Sequence, residues 1–280
     1  MVPALLIYMT FFVIPNIAGL VLGFTDWNVH FFDDIRFNGV DNFIRLFNEE
    51  TFWIAVRNTF YFAFVTVIAK NILGFIMALL VQKTSRFNSY LRTVMFMPIM
   101  ISSIVISIIF VAIYNPSAGI LNQFLRFIHL DILAKDWLVD AKYAMNAIVF
   151  MEIWQWSGFN MIIFLSGMKS IPADYYESAR IDGATRWQEI RYIMIPLMVQ
   201  SFTITFIFSL ISGLKVFAQV YGTTNGGPAD STQVMATFLY RSFSHGHYGY
   251  SAAVGFVFMI LISVLSLAAF GALRKKEVEY

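Results

Sequence analysis

Residues 52–82 read FWIAVRNTFYFAFVTVIAKNILGFIMALLVQ, an apolar stretch interrupted by only two charged side chains, Arg57 and Lys70. About 20 mostly apolar residues are enough for a helix to cross the hydrocarbon core of a bilayer. This stretch is longer, so it predicts a transmembrane helix that tilts or begins outside the bilayer. A buried helix of a soluble domain would rarely combine such length with so little charge.

Five further stretches have the same character, and they predict spans over residues 2–24, 93–114, 143–168, 193–218 and 250–273. The composition agrees, since 59% of the 280 residues are hydrophobic and 13% are charged. A typical soluble domain carries about 25% charged residues, so too few charges remain here to cover a water-facing surface. The sequence therefore predicts an all-α membrane protein with six transmembrane helices in a single domain over residues 1–280.

The basic residues are unevenly divided between the loops. The denser group consists of Lys83, Arg86, Arg92, Lys169, Arg180, Arg186, Arg191, Arg274, Lys275 and Lys276. Cytoplasmic loops of membrane proteins are enriched in Lys and Arg, so this side and both termini are predicted to be cytoplasmic. No basic stretch precedes the first span, and we expect a short cytoplasmic extension before it.

The sequence lacks the residue patterns of an enzyme. It contains no cysteine, which excludes a disulfide framework, a thiol nucleophile and a cysteine metal site. Its four histidines fall in predicted loops and form no HExxH pair, and there is no GxxxxGK[ST] phosphate loop. We therefore predict a chain without catalytic activity, metal or cofactor of its own.

The loop between the fourth and fifth spans, residues 169–192, reads KSIPADYYESARIDGATRWQEIRY and carries eight charged residues. Pro172 can open a first short helix, and Gly183 can end it because glycine tolerates left-handed backbone angles. Thr185 and Gln188 have the spacing of a capping box that starts a second helix. The loop predicts a helical hairpin beneath the membrane.

A capped, charged hairpin at this position is typical of a docking element. In that interpretation an apolar face with Tyr175, Tyr176 and Ala179 enters a groove of a cytoplasmic partner. Glu177 or Arg180 would fix the register by ion pairing. The alternative is a solvated connection between two spans, which would need neither the caps nor the apolar residues.

The spacing of this loop resembles that of a known family. Glu177-Ser178-Ala179, three residues, Gly183, nine residues and then IMIP at residues 193–196 are similar to the EAA loop of permeases in ATP-binding-cassette (ABC) importers fed by a binding protein. Ser178 and Ile195 depart from that pattern by small or apolar exchanges. The resemblance implies that the loop seats in a cleft of a separate ATPase. The predicted coupling residues are Tyr176, Glu177, Ala179, Arg180, Asp182 and Gly183.

Other segments extend the resemblance over nearly the whole chain. FTDW at residues 24–27, GVDNF at 39–43 and NGGP at 225–228 are similar to carbohydrate permeases of the maltose and multiple-sugar type. The resemblance implies a six-helix type I ABC importer domain in a bacterial-type inner membrane. It also implies a sugar substrate, an extracytoplasmic binding protein, two ATPase subunits that use ATP and Mg, and a second, different permease subunit. Nucleic acid is not an expected partner.

Two other classes of transporter stay open at this point. One is an ABC importer for a non-sugar solute such as a phosphorylated polyol. The other is an ion-coupled secondary transporter, which would need acidic residues inside several spans. Glu152 is the only acid that the predicted spans contain near their middle, so the second alternative has little support.

The fourth and fifth spans hold the candidate solute path. Trp156, Phe159 and Asn160 share one helix face, where aromatic rings can stack on a sugar and an amide can bond hydroxyls. A polar stripe on the fifth span should face the bundle rather than lipid. The predicted path residues are Trp156, Phe159, Asn160, Ser209, Ser212, Gly213, Lys215 and Gln219. Interfacial tryptophan and helix packing through small residues are the alternative explanations.

Two lysines fall in or near predicted spans. Lys70 lies near the middle of the second span, where an ionisable residue is a functional candidate, and the sequence gives it no certain partner. Lys215 lies near the outer end of the fifth span, where it can extend to the membrane surface or bind an acidic sugar.

Overall fold

The computed structural model describes residues 2–33 and 35–274, and its regular structure is helical. Thr25 and Phe37 form an isolated antiparallel bridge. Lys275 and Lys276 of the predicted cytoplasmic charges lie outside the described residues, as does the side chain of Arg274. The helices are α1 Val2–Leu22, α2 Asp41–Asn48, α3 Glu50–Val81, α4 Arg86–Met100, α5 Ser103–Ile113, α6 Ile120–Phe127, α7 Ala141–Ser170, α8 Ala173–Ile181, α9 Arg186–Leu197, α10 Val199–Leu214, α11 Ala218–Thr223, α12 Met235–Ser244 and α13 Tyr248–Arg274.

Four described helices, α1, α3, α7 and α13, are each long and apolar enough to cross a membrane. Two further pairs qualify only when joined, because α4 and α5 meet at 98° and α9 and α10 meet at 68°. The described chain thus has four candidate spans, or up to six if each bent pair counts as one. The sequence predicted one helix for each of residues 93–114 and 193–218, and the structure breaks both.

Prolines account for the irregular helical segments. Pro98 lies in the last, 3₁₀ turn of α4, after which Ile101 adopts an extended conformation. Pro15 and Pro196 each follow a π-helical segment, Met9–Val13 and Glu189–Met194. A proline ring collides with the carbonyl four residues earlier and removes one hydrogen bond from the ladder, and a widened π turn relieves that collision.

The bundle core is formed by α3, α7 and α10. It contains two apolar clusters, one remote from the hairpin of residues 169–192 and one beside it. The remote cluster includes Phe62, Ile106, Ile148, Met151, Val216 and Val220. The cluster beside the hairpin includes Ala78, Met161, Phe164, Met168, Met194 and Met198. Lys70 lies on α3 eight residues from both Phe62 and Ala78, so a polar region separates the two clusters.

Small residues allow the helices to approach closely, as is common in membrane bundles. A Cβ atom added to Gly74 of α3 would lie 2.6 Å from the Cβ of Asn160 on α7. A Cβ atom added to Gly158 of α7 would overlap the carbonyl oxygen of Met95 on α4. Because backbone cannot move aside cheaply, both contacts fix the distance between neighbouring helices.

We expect Gly158→Ala to destabilise the bundle by about 1–3 kcal/mol, because the new methyl group overpacks the contact with α4. Thermal unfolding of the purified protein in detergent measures the effect. Gly271→Ala is the matched control, since nothing lies within 4 Å of the added Cβ atom. Equal unfolding temperatures for the two variants would contradict the close packing of α7 on α4.

Candidate functional site

The hairpin has the local structure that its sequence predicted. Gly183 follows α8 with φ +80°, the left-handed conformation expected of a terminating glycine. Thr185 and Gln188 form the predicted capping box: the Thr185 backbone N–H donates to Gln188 Oε1 at 2.7 Å, and the Gln188 N–H donates to Thr185 Oγ1 at 3.4 Å. Pro172 immediately precedes α8. The caps are therefore confirmed.

A buried carboxylate holds the two arms of the hairpin together. Glu189 Oε1 accepts a hydrogen bond from Arg180 Nε and Glu189 Oε2 accepts one from Arg186 Nη1, both at 2.8 Å. The Glu189 side chain is 3% exposed. The bond from the Arg180 guanidinium, with that from Arg186, lowers the pKa of the Glu189 carboxyl, against the opposing effect of burial. Arg180, predicted to pair with a partner, is thus engaged within its own chain.

Sequence reasoning missed Glu189. Its spacing of three residues from Arg186 is a usable signal for a helical ion pair. Its bond to Arg180 depends on the turn at Gly183, which brings α8 back beside α9, and local spacing does not reveal that contact.

The hairpin surface divides into a face toward the bundle and a free face. The Tyr176 ring packs on the apolar cluster beside the hairpin, and burial raises the pKa of its hydroxyl. Ala179, Asp182 and Gly183 line a shallow hollow of about 310 Å³. Glu177 is exposed and has no ion-pair partner among the described residues.

Large apolar side chains are exposed on the hairpin, and one of them, Tyr192, lines this hollow. They are exposed to between 48% and 86% and comprise Tyr175, Ile181, Trp187 and Tyr192. Such a group of exposed apolar residues beside an unpaired carboxylate is typical of a protein contact surface. Tyr176, one of the predicted coupling residues, packs its ring on the bundle, whereas Tyr175 is 48% exposed.

A polar layer lies between the two apolar clusters, made of Lys70, Glu152, Asn160, Ser209, Ser212 and Gln219. Lys70 Nζ and Glu152 Oε1 are 3.0 Å apart, and their side chains are 1% and 3% exposed. Gln219 Nε2 donates to Glu152 Oε2 at 2.6 Å, and Lys70 Nζ also donates to Ser212 Oγ at 3.3 Å. The layer joins α3, α7, α10 and α11, and it gives Lys70 the partner that its sequence left open.

The aromatic part of the predicted path lies on α7 and α10. Asn160 Nδ2 donates to Ser209 Oγ at 3.1 Å. The Phe159 ring lies 4.6 Å from Phe208, and the Trp156 ring lies 6.2 Å from Phe208. Trp156 is partly buried, and its Nε1–H has no partner among the described residues. An aromatic cluster thus stands beside an amide–hydroxyl pair, and its member Phe208 was not among the predicted path residues.

Two predicted path residues lie apart from the polar layer. A Cβ atom added to Gly213 would lie 2.9 Å from the Ala63 Cα of α3, so Gly213 serves the packing of α10 on α3. Lys215 follows the end of α10 and is exposed. Gly213 therefore fits the packing explanation, and Lys215 lies outside the buried network.

Comparison with known proteins also indicates a membrane transport subunit. Residues 70–277 match the family described as binding-protein-dependent transport system inner membrane component. The probable ABC transporter permease protein YurN of Bacillus subtilis is 33% identical over 95% of this chain and 92% of YurN. The lactose transport system permease protein LacF of Rhizobium radiobacter is 31% identical over 98% of this chain and 93% of LacF.

A solved structure extends the likeness to three dimensions. It is the crystal structure of a bacterial ABC transporter involved in the import of the acidic polysaccharide alginate. One of its chains superposes with a TM-score of 0.85 at 26% identity, covering 98% of this chain and 93% of that chain. The fold is thus that of an ABC importer's membrane subunit.

We expect Glu189→Gln to loosen the hairpin, because Arg180 and Arg186 lose their charged acceptor. The fluorescence anisotropy of a dye on Ser178→Cys, in this cysteine-free chain, measures the effect and should fall at pH 7. Glu177→Gln is the control, since Glu177 is exposed and acts on Arg180 through its charge alone, without a hydrogen bond or ion pair among the described residues.

The same dye should report a pH dependence. Because the pKa of Glu189 lies below its ordinary value of 4.5, its contribution is present above that pH and is lost as the pH falls through the lowered pKa. The anisotropy of the parent should therefore fall below pH 4.5 toward the value for Glu189→Gln. The anisotropy of that variant should change with pH only through the other acidic residues of the hairpin. An identical decline in both proteins would contradict the role of Glu189.

Proposed function

Since this chain belongs to the binding-protein-dependent transport system inner membrane component family, we propose that it forms part of the translocation path of an ABC importer for a sugar or oligosaccharide. The family identifies a multi-pass permease subunit of the inner membrane and not an enzyme. It also implies a solute-binding protein and an ATPase as partners. An ion-coupled secondary transporter is thereby excluded.

One observation supports a sugar as the solute. The aromatic rings of Trp156, Phe159 and Phe208 lie beside the hydrogen-bonded Asn160 and Ser209. A sugar ring offers an apolar C–H face for stacking and hydroxyl groups for amide and hydroxyl partners, so both halves of this arrangement match it. The lactose system of the relative LacF agrees with this substrate class.

The hairpin supports a mechanical connection to the ATPase. Membrane spans supply no energy source, so closure of the ATPase pair must reach the bundle as a movement. Only Ile171 and Pro172 separate α7 from α8, and Ile171 is buried. A displacement of the hairpin therefore pulls directly on α7. The free carboxylate of Glu177 would pair with a basic residue of the ATPase and fix the register.

The remaining assembly follows the same proposal. The chain pairs with a second, different permease subunit, and two ATPase subunits hydrolyse ATP with Mg. Both termini and the hairpin lie in the cytoplasm, and an extracytoplasmic binding protein delivers the sugar on the opposite side. The basic residues of the hairpin support this orientation.

An anionic solute such as a phosphorylated polyol is the second candidate. The exposed Lys215 at the end of α10 favours it, because this cation has no ion-pair partner among the described residues. Uptake assays with neutral and anionic solutes distinguish the two candidates.

We expect Phe159→Ala and Asn160→Ala to reduce sugar uptake without preventing assembly. A lost buried polar contact costs about 1–3 kcal/mol, so Asn160→Ala should raise the KM about tenfold. Uptake into proteoliposomes that contain the complete importer measures the change. Phe150→Ala on the same helix is the matched control, since Phe150 is exposed on the outside of the bundle. Parental uptake in both path variants would assign the solute to another part of the bundle.

We expect Glu177→Lys to abolish or strongly weaken ATPase binding, because attraction becomes repulsion. Glu50→Lys applies the same charge reversal at an exposed position on another helix and should assemble normally. Co-purification with the ATPase and sugar-stimulated ATP hydrolysis are the measurements. Parental assembly and stimulation in Glu177→Lys would refute its role in register.

Gly183 tests the turn separately. Its added Cβ atom would meet nothing within 4 Å, so the constraint is the backbone angle and not space. Gly183→Val should therefore misplace α8 and uncouple hydrolysis, whereas Gly183→Asn should retain coupling, because asparagine tolerates the left-handed region. Equal coupling in the two variants would show that the turn is not required.

A further inference from the structure

Besides neutralising each other, Lys70 and Glu152 each form a hydrogen bond to a second side chain. Both carboxylate oxygens of Glu152 are used, Oε1 by Lys70 and Oε2 by Gln219. Lys70 also donates to Ser212. Ser212 belongs to α10 and Gln219 to α11, the two sides of the non-helical segment 215–217.

We propose that Lys70 and Glu152 form a positioning pair that presents Ser212 and Gln219 to the hydroxyl groups of a transported neutral sugar. This inference rests on the proposed function and assigns two residues that do not themselves touch the solute. It assigns a neutral sugar as the substrate class and gives Lys70 and Glu152 a role in orienting Ser212 and Gln219.

The interruption between α10 and α11 leaves the direction of Gln219 relative to Ser212 unfixed by the backbone. A continuous helix fixes the direction of residues seven positions apart through its hydrogen-bond ladder. That ladder is interrupted between Leu214 and Ala218, so it cannot fix Gln219 relative to Ser212. Lys70 and Glu152 supply the missing constraint, because one binds the side chain before the break and the other the side chain after it.

Ser212 and Gln219 also keep unused hydrogen-bonding capacity. The Ser212 hydroxyl donates to the Ser209 carbonyl at 3.0 Å and accepts from Lys70, which fixes its orientation. One lone pair of that oxygen remains. Gln219 uses one side-chain N–H toward Glu152, and its side-chain oxygen Oε1 has no hydrogen bond to the described residues. The two side chains thus retain acceptors for hydroxyl groups.

The two charges of the polar layer balance each other. A lone cation at this depth would attract an anionic solute, but Glu152 cancels the charge of Lys70 at 3.0 Å. The polar layer, which also contains Ser209 and Asn160, therefore offers neutral amide and hydroxyl groups to a solute. That chemistry suits an uncharged hydroxylated solute better than an acidic one.

Stability alone does not explain the pair. Replacing a buried ion pair by apolar residues of similar volume is often neutral or stabilising, whereas removing one partner leaves an uncompensated charge. A double apolar variant can therefore retain the fold while it loses the orientation of Ser212 and Gln219. This separation of fold from function makes the inference testable.

The experiment uses the complete importer in proteoliposomes with its binding protein and a panel of radiolabelled neutral di- and trisaccharides. The sugar that the parent transports best becomes the probe. Lys70→Met and Glu152→Gln alone should impair assembly. The double variant Lys70→Met/Glu152→Leu should assemble and unfold near the parental temperature, yet its KM should rise about tenfold, with a smaller change in kcat.

The matched control is Thr66→Val on the same helix. Thr66 is fully buried, and within the described part of the chain its hydroxyl bonds only the Ala63 carbonyl of its own helix. Its KM should stay parental. The variant Ser212→Ala/Gln219→Leu leaves both charges in place and should reproduce the raised KM, even if the double apolar variant does not assemble.

The outcomes are distinct. A parental KM in Lys70→Met/Glu152→Leu, or in Ser212→Ala/Gln219→Leu, would overturn the positioning role while the proposed sugar transport stands. Transport of no neutral sugar by the parent would overturn the proposed function, and the inference with it.

Discussion

The burial of Lys70 and Glu152 constrains the rest of the bundle, because neither charge can stay in the interior without the other. Two charges in the interior of a membrane bundle are tolerated only while they are paired and hydrogen-bonded, and removal of one partner costs about 3–5 kcal/mol. Since the charges lie on α3 and α7, their contact fixes the rotation of these two helices about their axes. The same contact then orients Ser212 and Gln219 on either side of the break after α10.

A single helix connects this pair to the cytoplasmic hairpin. From Glu152 to Ser170, α7 is uninterrupted, a distance of about 27 Å at 1.5 Å per residue. At its end Ile171 and Pro172 lead into α8. Glu189 bonds Arg180 and Arg186, which makes the two arms of the hairpin move together. A force applied to the hairpin therefore reaches the polar layer through rigid elements rather than through a flexible loop.

The sequence predicted those features that depend on neighbouring residues, and it failed for those that depend on helix rotation. The predictions of a terminating glycine at Gly183 and of a capping box at Thr185 and Gln188 were correct, because both depend on residues close together in sequence. The contact of Lys70 with Glu152 joins residues 82 positions apart, and periodicity cannot say which faces of two apolar helices meet. The choice between a path and a helix contact for Gly213 stayed open for the same reason, since a small residue in a polar stripe fits both equally, and its contact with Ala63 depends on which helix faces meet.

The breaks in the bundle explain why α7 carries so many polar residues. In an apolar environment each unpaired backbone carbonyl is costly, and Gln155 Nε2 donates at 3.1 Å to the Ile101 carbonyl that the break between α4 and α5 leaves free. Three residues earlier, on the same face, Glu152 bonds Gln219 beyond the break after α10. One face of α7 thus stabilises both irregular neighbours. Glu152 and Gln155 thus bond the interrupted parts of the adjacent spans, whereas Trp156, Phe159 and Asn160, one to two turns further along, are the residues that we propose for the solute.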